Sequence, residues 1–245
     1  MNISVIIPAY NEENYIGATL QSIIDSEPSN LLEIIVVDNA STDATADIAA
    51  KYKQVRVVRE PKKGLTRARQ AGLDAALGDI LVYIDADTIA RKDWFAELNK
   101  EFETDKDIIC LSGPYRYYGL PEFKNPLTKW WYHYWFIVWY WFADFFISHT
   151  QGYVVTGGNF AAKKQALLGI GGFDTKIEFY GEDTDIARRL NQFGKIKFSK
   201  DFWIATSARR FNHEGLVVTG FRYLVNYASV ILFKKPVTKK YQDVR

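Results

Sequence analysis

Apolar and polar positions alternate in blocks along the first hundred residues. Ile3-Ser4-Val5-Ile6-Ile7 is an apolar run stopped by Pro8, and it predicts a strand. Asn11-Glu12-Glu13 offer a cap and N-terminal acids for a helix running to about Ile24. Glu33–Asp38 reads as a second strand that ends in a carboxylate. Ser41-Thr42-Asp43 caps a helix to about Tyr52, and Val55–Val58 is a short third strand. Thr66–Leu77 is helical, with Gly78 at the place favoured for a left-handed C-cap. Ile80-Leu81-Val82-Tyr83-Ile84 is apolar throughout, as expected of a strand covered on both faces. Such alternation implies a mainly parallel sheet with right-handed crossovers and flanking helices, an α/β class.

The polar groups that interrupt this pattern fall at strand C-termini: Tyr10, Asn11, Asp38, Asp85 and Asp87. Ligands of open α/β sheets bind just beyond those ends. Asp85 and Asp87 lie one residue apart, and paired carboxylates repel unless a cation sits between them. A hard divalent ion suits them, together with a bound diphosphate. Taken alone, the same pentapeptide also reads as a solvated loop that caps the helix after Arg91.

Pro8-Ala9-Tyr10-Asn11-Glu12, Val36-Val37-Asp38-Asn39-Ala40-Ser41-Thr42-Asp43 and Asp85-Ala86-Asp87 together resemble the nucleotide-sugar half of a family 2 glycosyltransferase of GT-A fold. Gly157-Gly158-Asn159, Gly171-Gly172-Phe173-Asp174 and Gly181-Glu182-Asp183-Thr184-Asp185 follow in the family's order. The resemblance spans about residues 3–215. It rests on the ordered set, since each piece alone is short.

The resemblance implies that Pro8, Ala9, Tyr10 and Glu12 line a nucleoside pocket, with Tyr10 against base or ribose. The other reading of Tyr10 is a core aromatic at the sheet edge. Asp38 would accept from a base N–H or a ribose hydroxyl, or cap the Ser41 helix, or do both. Lys63-Gly64-Leu65-Thr66-Arg67-Ala68-Arg69-Gln70 resembles the family's glycine-led segment, with Gln70 where asparagine is usual. Cations are disfavoured at a helix N-terminus. Arg67 and Arg69 therefore call for an anionic partner, either the donor diphosphate or Asp85. By the resemblance Asp87 is the direct metal ligand and Asp85 the second carboxylate, with Ala86 between them. The cofactor is Mn²⁺ or Mg²⁺, and it assists departure of the nucleoside diphosphate. Asp183 is the implied general base of a single inverting displacement, with Glu182 beside it on the acceptor side. The alternative is that Glu182, Asp183 and Asp185 are ordinary first-turn acids. Gly158 and Asn159 fall near the donor sugar. Ser207-Ala208-Arg209-Arg210-Phe211 resembles a late basic element for the diphosphate. Arg210 is its candidate residue, and a surface role for either arginine is open. His133, His149 and His213 lack metal-ligand spacing.

Composition changes this picture in one place. The net charge of +2 gives no push towards nucleic acid. The lone Cys110 lies in an apolar run, which points to a reducing compartment. No signal peptide is read at the N-terminus. Aromatics, however, are concentrated: five of the seven tryptophans lie between Trp130 and Trp141, and twelve of the eighteen residues from Trp130 to Ile147 are aromatic. The length raises the question of a membrane span. A single crossing there would separate Asp87 from Asp183, which must meet. An in-plane or acceptor-lining helix is expected instead, with Trp130 and Trp131 on the acceptor side. An aromatic core or a dimer interface is the competing reading. Leu216–Phe233 is a further apolar helix, followed by Lys234, Lys235, Lys239, Lys240 and Arg245, which suit an anionic cytoplasmic leaflet.

The organisation expected is a GT-A unit over residues 1–215, with a nucleotide-sugar half at 1–107 and an acceptor half at 108–215. An amphipathic helix and basic tail follow at 216–245. The implied partners are a UDP- or GDP-linked sugar and a hydroxyl or lipid-linked acceptor, polyprenyl phosphate included. The location is cytoplasmic, at the inner membrane face. Two rival readings are a nucleotidyltransferase, which lacks its basic glycine-rich loop here because residues 9–13 are acidic, and a sugar-nucleotide binder without turnover.

Overall fold

The computed structural model describes residues 1–26, 28–120, 127, 130, 131, 134, 138 and 154–238. Its first part runs β1 (Ile3–Ala9), α1 (Ile16–Asp25), β2 (Leu31–Asp38), α2 (Thr45–Ala49), β3 (Val55–Arg59), α3 (Leu65–Ala75) and β4 (Ile80–Ile84). Then come β5 (Thr88–Ile89), α4 (Trp94–Thr104), β6 (Ile108–Ser112) and β7 (Tyr115–Tyr118). The last part runs β8 (Asn159–Lys163), α5 (Lys164–Gly169), α6 (Glu182–Leu190), β9 (Lys195–Phe198), β10 (Ile204–Ser207), α7 (Arg209–Glu214) and α8 (Leu216–Phe233).

Seven strands form one sheet in the order β3-β2-β1-β4-β8-β6-β9. β1 pairs parallel with β2 and β4, β2 with β3, and β6 with β9. β8 alone runs antiparallel to its neighbours β4 and β6. The expected mainly parallel α/β sheet is therefore present, with one reversed strand. The apolar runs explain it. Every residue of β1 and β4 is buried. Alternate side chains feed opposite layers: Val5, Ile7, Val36 and Val82 pack on one face, and Ile6, Ile35, Val37 and Tyr83 on the other. A small second sheet, β5-β10-β7, lies beyond the end of β4.

This topology positions the site. Chain order reverses between β1 and β4, which opens a crevice at their carboxyl ends. Because β8 is antiparallel, its first residue, Asn159, pairs with Ile84, the last of β4. The loop before β8 is thus delivered to the edge where Asp85 stands. β8 comes from the second half of the chain and inserts between two strands of the first 112 residues.

Several local expectations are corrected. α3 ends at Ala75 with an extended cap at Ala76, and Gly78 is not in the left-handed region. Gly78 meets a packing need instead: a Cβ there would sit 2.6 Å from the Ser4 backbone nitrogen. Asn11 is not the α1 cap. It takes a left-handed φ of 51° and accepts a hydrogen bond from the Thr42 N–H at 2.9 Å, tying the β1 and β2 loops together. α2 is shorter than expected, ending at Ala49, although Asp43 does accept from the Thr45 N–H at 3.0 Å. Of the aromatic stretch from Trp130 to Ile147, Trp130, Trp131, Tyr134 and Val138 are described. The remainder lies outside the described residues, as does the tail beyond residue 238.

Candidate active site

Three strand ends supply one face of the site. After β1, Pro8, Ala9 and Tyr10 line a cleft whose other walls are Asn39, Lys63, Gly64, Leu65, Ala68 and Phe179. The Lys63 ammonium lies 3.6 Å from the centre of the Tyr10 ring, a cation on an aromatic face. Asn39 holds the opposing loop. It donates to the Lys62 carbonyl at 2.8 Å and accepts from the Gly64 N–H at 2.7 Å. Asp38 is buried at the end of β2 and accepts from the Ser41 N–H at 3.1 Å, which closes a turn in the loop; α2 begins only at Thr45, so Asp38 does not cap that helix.

The carboxylate pair after β4 divides into unlike environments. Asp85 is 34% exposed, and its Oδ2 accepts from the Tyr115 hydroxyl at 2.8 Å. Tyr115 in turn accepts from the Gly158 N–H at 2.8 Å. Burial, then the charge of Asp85, drives the Tyr115 phenol well above its ordinary value, so it stays a donor. Asp87 is buried. Its Oδ2 lies 3.0 Å from Nε of Arg209, and Thr206 donates to its Oδ1 at 3.4 Å. Arg209 simultaneously grips the buried Glu12 in a bidentate pair, with Nη1 to Oε2 at 2.7 Å. Burial opposes charge on Arg209, but the hydrogen bond to Glu12 and the charge of Asp87 outweigh it. The antiparallel pairing of β10 with β5 brings Arg209 here. Ala86 between the two acids is buried, and its carbonyl accepts from the Thr19 hydroxyl at 2.7 Å.

Arg69 joins this face to the start of α6. Its side chain is 2% exposed, 3.2 Å from Glu182 Oε1 and 3.9 Å from Asp85 Oδ1. Glu182 and Asp183 open α6 behind Gly181, which caps the helix at a left-handed φ of 84°. Asp183 is partly exposed and accepts from the Thr184 N–H at 2.7 Å. Burial raises the Asp183 carboxyl above its ordinary value despite that bond and the Arg69 charge. Burial, then repulsion from Asp183, pushes Glu182 up to about 8. Asp185, the third acid, pairs at 3.0 Å and 2.8 Å with Arg188 and Arg189, outside the site. Gln70, the departure from the usual asparagine, accepts from the Phe173 N–H at 2.9 Å and fixes that glycine-led loop.

Glu182 supplies a pH prediction. Its folded-state value of about 8 exceeds the ordinary 4.5. The folded chain therefore retains a proton that the unfolded chain releases between those values. The stabilisation is complete below about pH 4.5 and is lost as pH rises to about 8. Denaturant unfolding across that window should show this decline in the wild type and a flatter profile in Glu182→Gln.

Two glycines make the junction possible. A Cβ at Gly158 would lie 2.0 Å from Asp85 Oδ2, and one at Gly157 2.7 Å from Arg69 Nη2. Both distances are far inside van der Waals contact. Gly158→Ala should displace Asp85 and Tyr115 and, if Asp85 has the donor-binding role that the sequence resemblance implies, weaken nucleotide-sugar binding by at least about tenfold, a ~1.4 kcal/mol effect. Calorimetric titration checks this, and unchanged binding would remove Asp85 from the donor site.

The remaining candidates fall elsewhere. Asn159 is fully buried. It donates to the Phe202 carbonyl at 2.7 Å and accepts from the Trp94 indole at 3.2 Å, so its side chain braces strands and does not face a donor. Arg210 turns to Glu214 at 2.8 Å and stacks 4.5 Å from the Phe179 ring, while Arg209 is the arginine that reaches the acids. Arg67 is half-buried, with its aliphatic chain beside Gly64. Trp130 and Trp131 are 60% and 52% exposed and pack with Tyr134. Tyr115 and Asn39 are part of the site, yet nothing in the pattern of strand formers singled Tyr115 out. Asn39 lies in the motif after Asp38, where its residue type by itself points to no particular partner.

Among the described residues no three His, Cys, Asp or Glu side chains gather as a metal cluster. The donor chemistry available is two carboxylates on one strand end. Mg²⁺ and Mn²⁺ are commonly held that way, by one or two carboxylates plus substrate phosphates. The residues fit such an ion, with Arg209 already on one oxygen of Asp87.

Comparison with known proteins bears on these observations. The chain is 30% identical over 211 residues to a Bacillus subtilis protein named Probable glycosyltransferase YdaM, covering 78% of this chain and 47% of that one. It is 34% identical over 119 residues to Glycosyltransferase GlyA of Streptococcus pneumoniae, covering 47% of this chain and 17% of GlyA. The chain thus spans half or less of these relatives' lengths. Among solved structures, the mannosyltransferase PcManGT of Pyrobaculum calidifontis, in complex with GDP-Man and Mn²⁺, superimposes with a TM-score of 0.74. It is 22% identical, covering 96% of this chain and 65% of that one. TarS of S. aureus, in complex with UDP-GlcNAc, gives a TM-score of 0.66 at 18% identity, covering 84% and 58%. These likenesses carry the GT-A fold. The model of the family described as Glycosyl transferase family 2 matches residues 4–170, well over half of the sequence, and this chain belongs to that family.

Proposed function

We propose that this protein transfers a sugar from a nucleoside diphosphate to an acceptor hydroxyl, or to a polyprenyl phosphate, with inversion. The observation that carries the reading is the Arg69 bridge. One buried guanidinium lies 3.9 Å from a strand-end carboxylate, Asp85, and 3.2 Å from Glu182, the residue before Asp183 at the start of α6.

In this reading Tyr10, Lys63 and Asp38 receive the nucleoside, and Pro8 and Ala9 form the floor. Asp85 and Asp87 hold Mn²⁺ or Mg²⁺ with the donor diphosphate. A bound ion supplies Lewis-acid stabilisation of the charge on the departing diphosphate. Arg209 keeps Asp87 oriented and ties it to Glu12. Tyr115 fixes the rotamer of Asp85. Asp183 takes the proton from the attacking acceptor oxygen at its carboxylate. Its raised proton affinity, caused by burial, moves it towards the range in which a base works near neutral pH. Inversion follows from one displacement with one base and no protein nucleophile. The complexes of relatives with UDP- and GDP-linked sugars support a nucleotide-sugar donor. The free, buried Cys110 fits a reducing, cytoplasmic setting.

A thermal-shift panel of nucleotide sugars with and without Mn²⁺ tests the reading. One donor class should raise the Tm, more so with Mn²⁺, and Asp87→Ala should remove the metal-dependent part. A panel in which no nucleotide sugar shifts the Tm would overturn the donor site. An undiminished Mn²⁺ effect in Asp87→Ala would remove Asp87 from the metal.

A further inference from the structure

α8 is built inside out for a helix of a soluble domain. Its buried positions are Leu216, Thr219, Gly220, Asn226, Ser229 and Val230, most of them polar or small. Its outward positions are apolar: Val217 is 58% exposed, Val218 54%, Phe221 67%, Leu232 71% and Phe233 67%. Residues 217, 221, 228 and 232 recur at helical spacing and make one exposed apolar stripe along the helix, which Val218 and Phe233 widen at its two ends. Eighteen residues give that stripe a length of about 27 Å. Lys234 and Lys235 follow at once, both exposed, and Lys234 turns the chain with a left-handed φ of 59°.

From this arrangement we infer that the outer face of α8 is a docking surface for an anionic lipid bilayer, on which the helix lies in the plane of the interface. Charge complementarity selects the occupant. An apolar stripe ending in a lysine pair meets acyl chains with its side and anionic headgroups with its end. The sequence adds Lys239, Lys240 and Arg245 against the single Asp243.

The inner face rules out spanning. Asn226 donates to Thr238 Oγ1 at 2.8 Å and accepts from the Thr238 N–H at 2.9 Å, and Ser229 donates to the Lys235 carbonyl at 2.7 Å. Arg222 pairs with Glu214 at 2.6 Å. A helix crossing hydrocarbon would break these bonds and strand their polar groups without water. Held in place, α8 keeps its polar side on the protein and offers only its apolar side outward. Trp130, Trp131 and Tyr134 form another exposed aromatic cluster, of the residue types that favour membrane interfaces.

The surface is mechanically joined to the site. A Cβ on Gly181 would lie 2.7 Å from Val230 Cγ2, so α8 packs directly against the residue that caps α6. Docking therefore presents Glu182 and Asp183 near the bilayer, where a lipid-carried acceptor would approach. This last link rests on the transferase reading; the docking surface does not.

Vesicle co-sedimentation of the full chain tests the inference. The probes are phosphatidylcholine vesicles with and without phosphatidylglycerol. The wild type should sediment with the anionic vesicles, more weakly as salt rises. Phe221→Glu and Leu232→Glu should lose sedimentation with an unchanged Tm. Lys234→Glu and Lys235→Glu should each weaken it by roughly fivefold or more. Wild-type protein that stays in the supernatant with both vesicles overturns the surface. So does a wild-type dimer that Phe221→Glu dissociates, because a second copy would then cover the stripe. Nucleotide-sugar thermal shifts of the same variants, measured without lipid, read the transferase site separately.

Discussion

Asp183→Asn is expected to lower the transfer rate by roughly 10²–10⁴-fold while leaving metal-dependent donor binding intact. The argument is positional. Asp183 stands in the first turn of α6, one residue after Glu182, which Arg69 links to Asp85. Its Oδ1 accepts from the Thr184 N–H at 2.7 Å, a bond that asparagine retains through its amide oxygen. The substitution therefore removes proton affinity and little else. Single-turnover kinetics with a saturating nucleotide sugar separate the step from binding. Transfer at the wild-type rate would sink the assignment of the base, and loss of donor binding would make Asp183 a structural residue.

Above about pH 8, where Glu182 is ionised, Arg69→Leu is expected to destabilise the protein by about 3–5 kcal/mol. Arg69 is 2% exposed, and its departure leaves Glu182 buried without its cation and Asp85 without a neighbouring positive charge. A buried charge deprived of its partner is much costlier than a pair exchanged whole for neutral groups. The double variant Arg69→Leu, Glu182→Gln should accordingly recover part of the loss. Urea unfolding of the four proteins of that cycle measures the coupling directly. Additive effects would mean that the 3.2 Å contact carries no net interaction.

The two expectations differ in how they could have been anticipated. Asp183 belongs to a short acidic motif that the sequence displays, in family order after Asp85-Ala86-Asp87. Arg69 was legible only as a cation in an awkward place, the first turns of a helix. That awkwardness called for an anion, and Asp85 was one of the two candidates. Glu182, the nearer partner, is 113 residues away, and nothing local connects them. The same holds for the late arginines. The family resemblance marked a basic element at Arg209 and Arg210, with Arg210 as its candidate, but neighbouring helical residues point about 100° apart, and it is Arg209 that meets Asp87. Asn159 shows the opposite failure. Its motif suggested a ligand contact, whereas β8 delivers Gly157 and Gly158 to the site and turns the asparagine side chain into the core.

By itself, the sequence determined the layered architecture and the edge on which chemistry sits. Near-continuous apolar runs such as Ile3–Ile7 and Ile80–Ile84 must be covered on both faces, and crossover helices between them make the strands parallel. Polar residues that end each run then collect on one side. Only the tertiary structure decided which charges meet. Glu12 and Arg209 are 197 residues apart, and Arg69 reaches acids from two different elements. Strand formation depends on near neighbours along the chain. Charge pairing depends on distance in space and on exclusion of water, and both exist only once β8, β10 and α6 have closed around the end of β4.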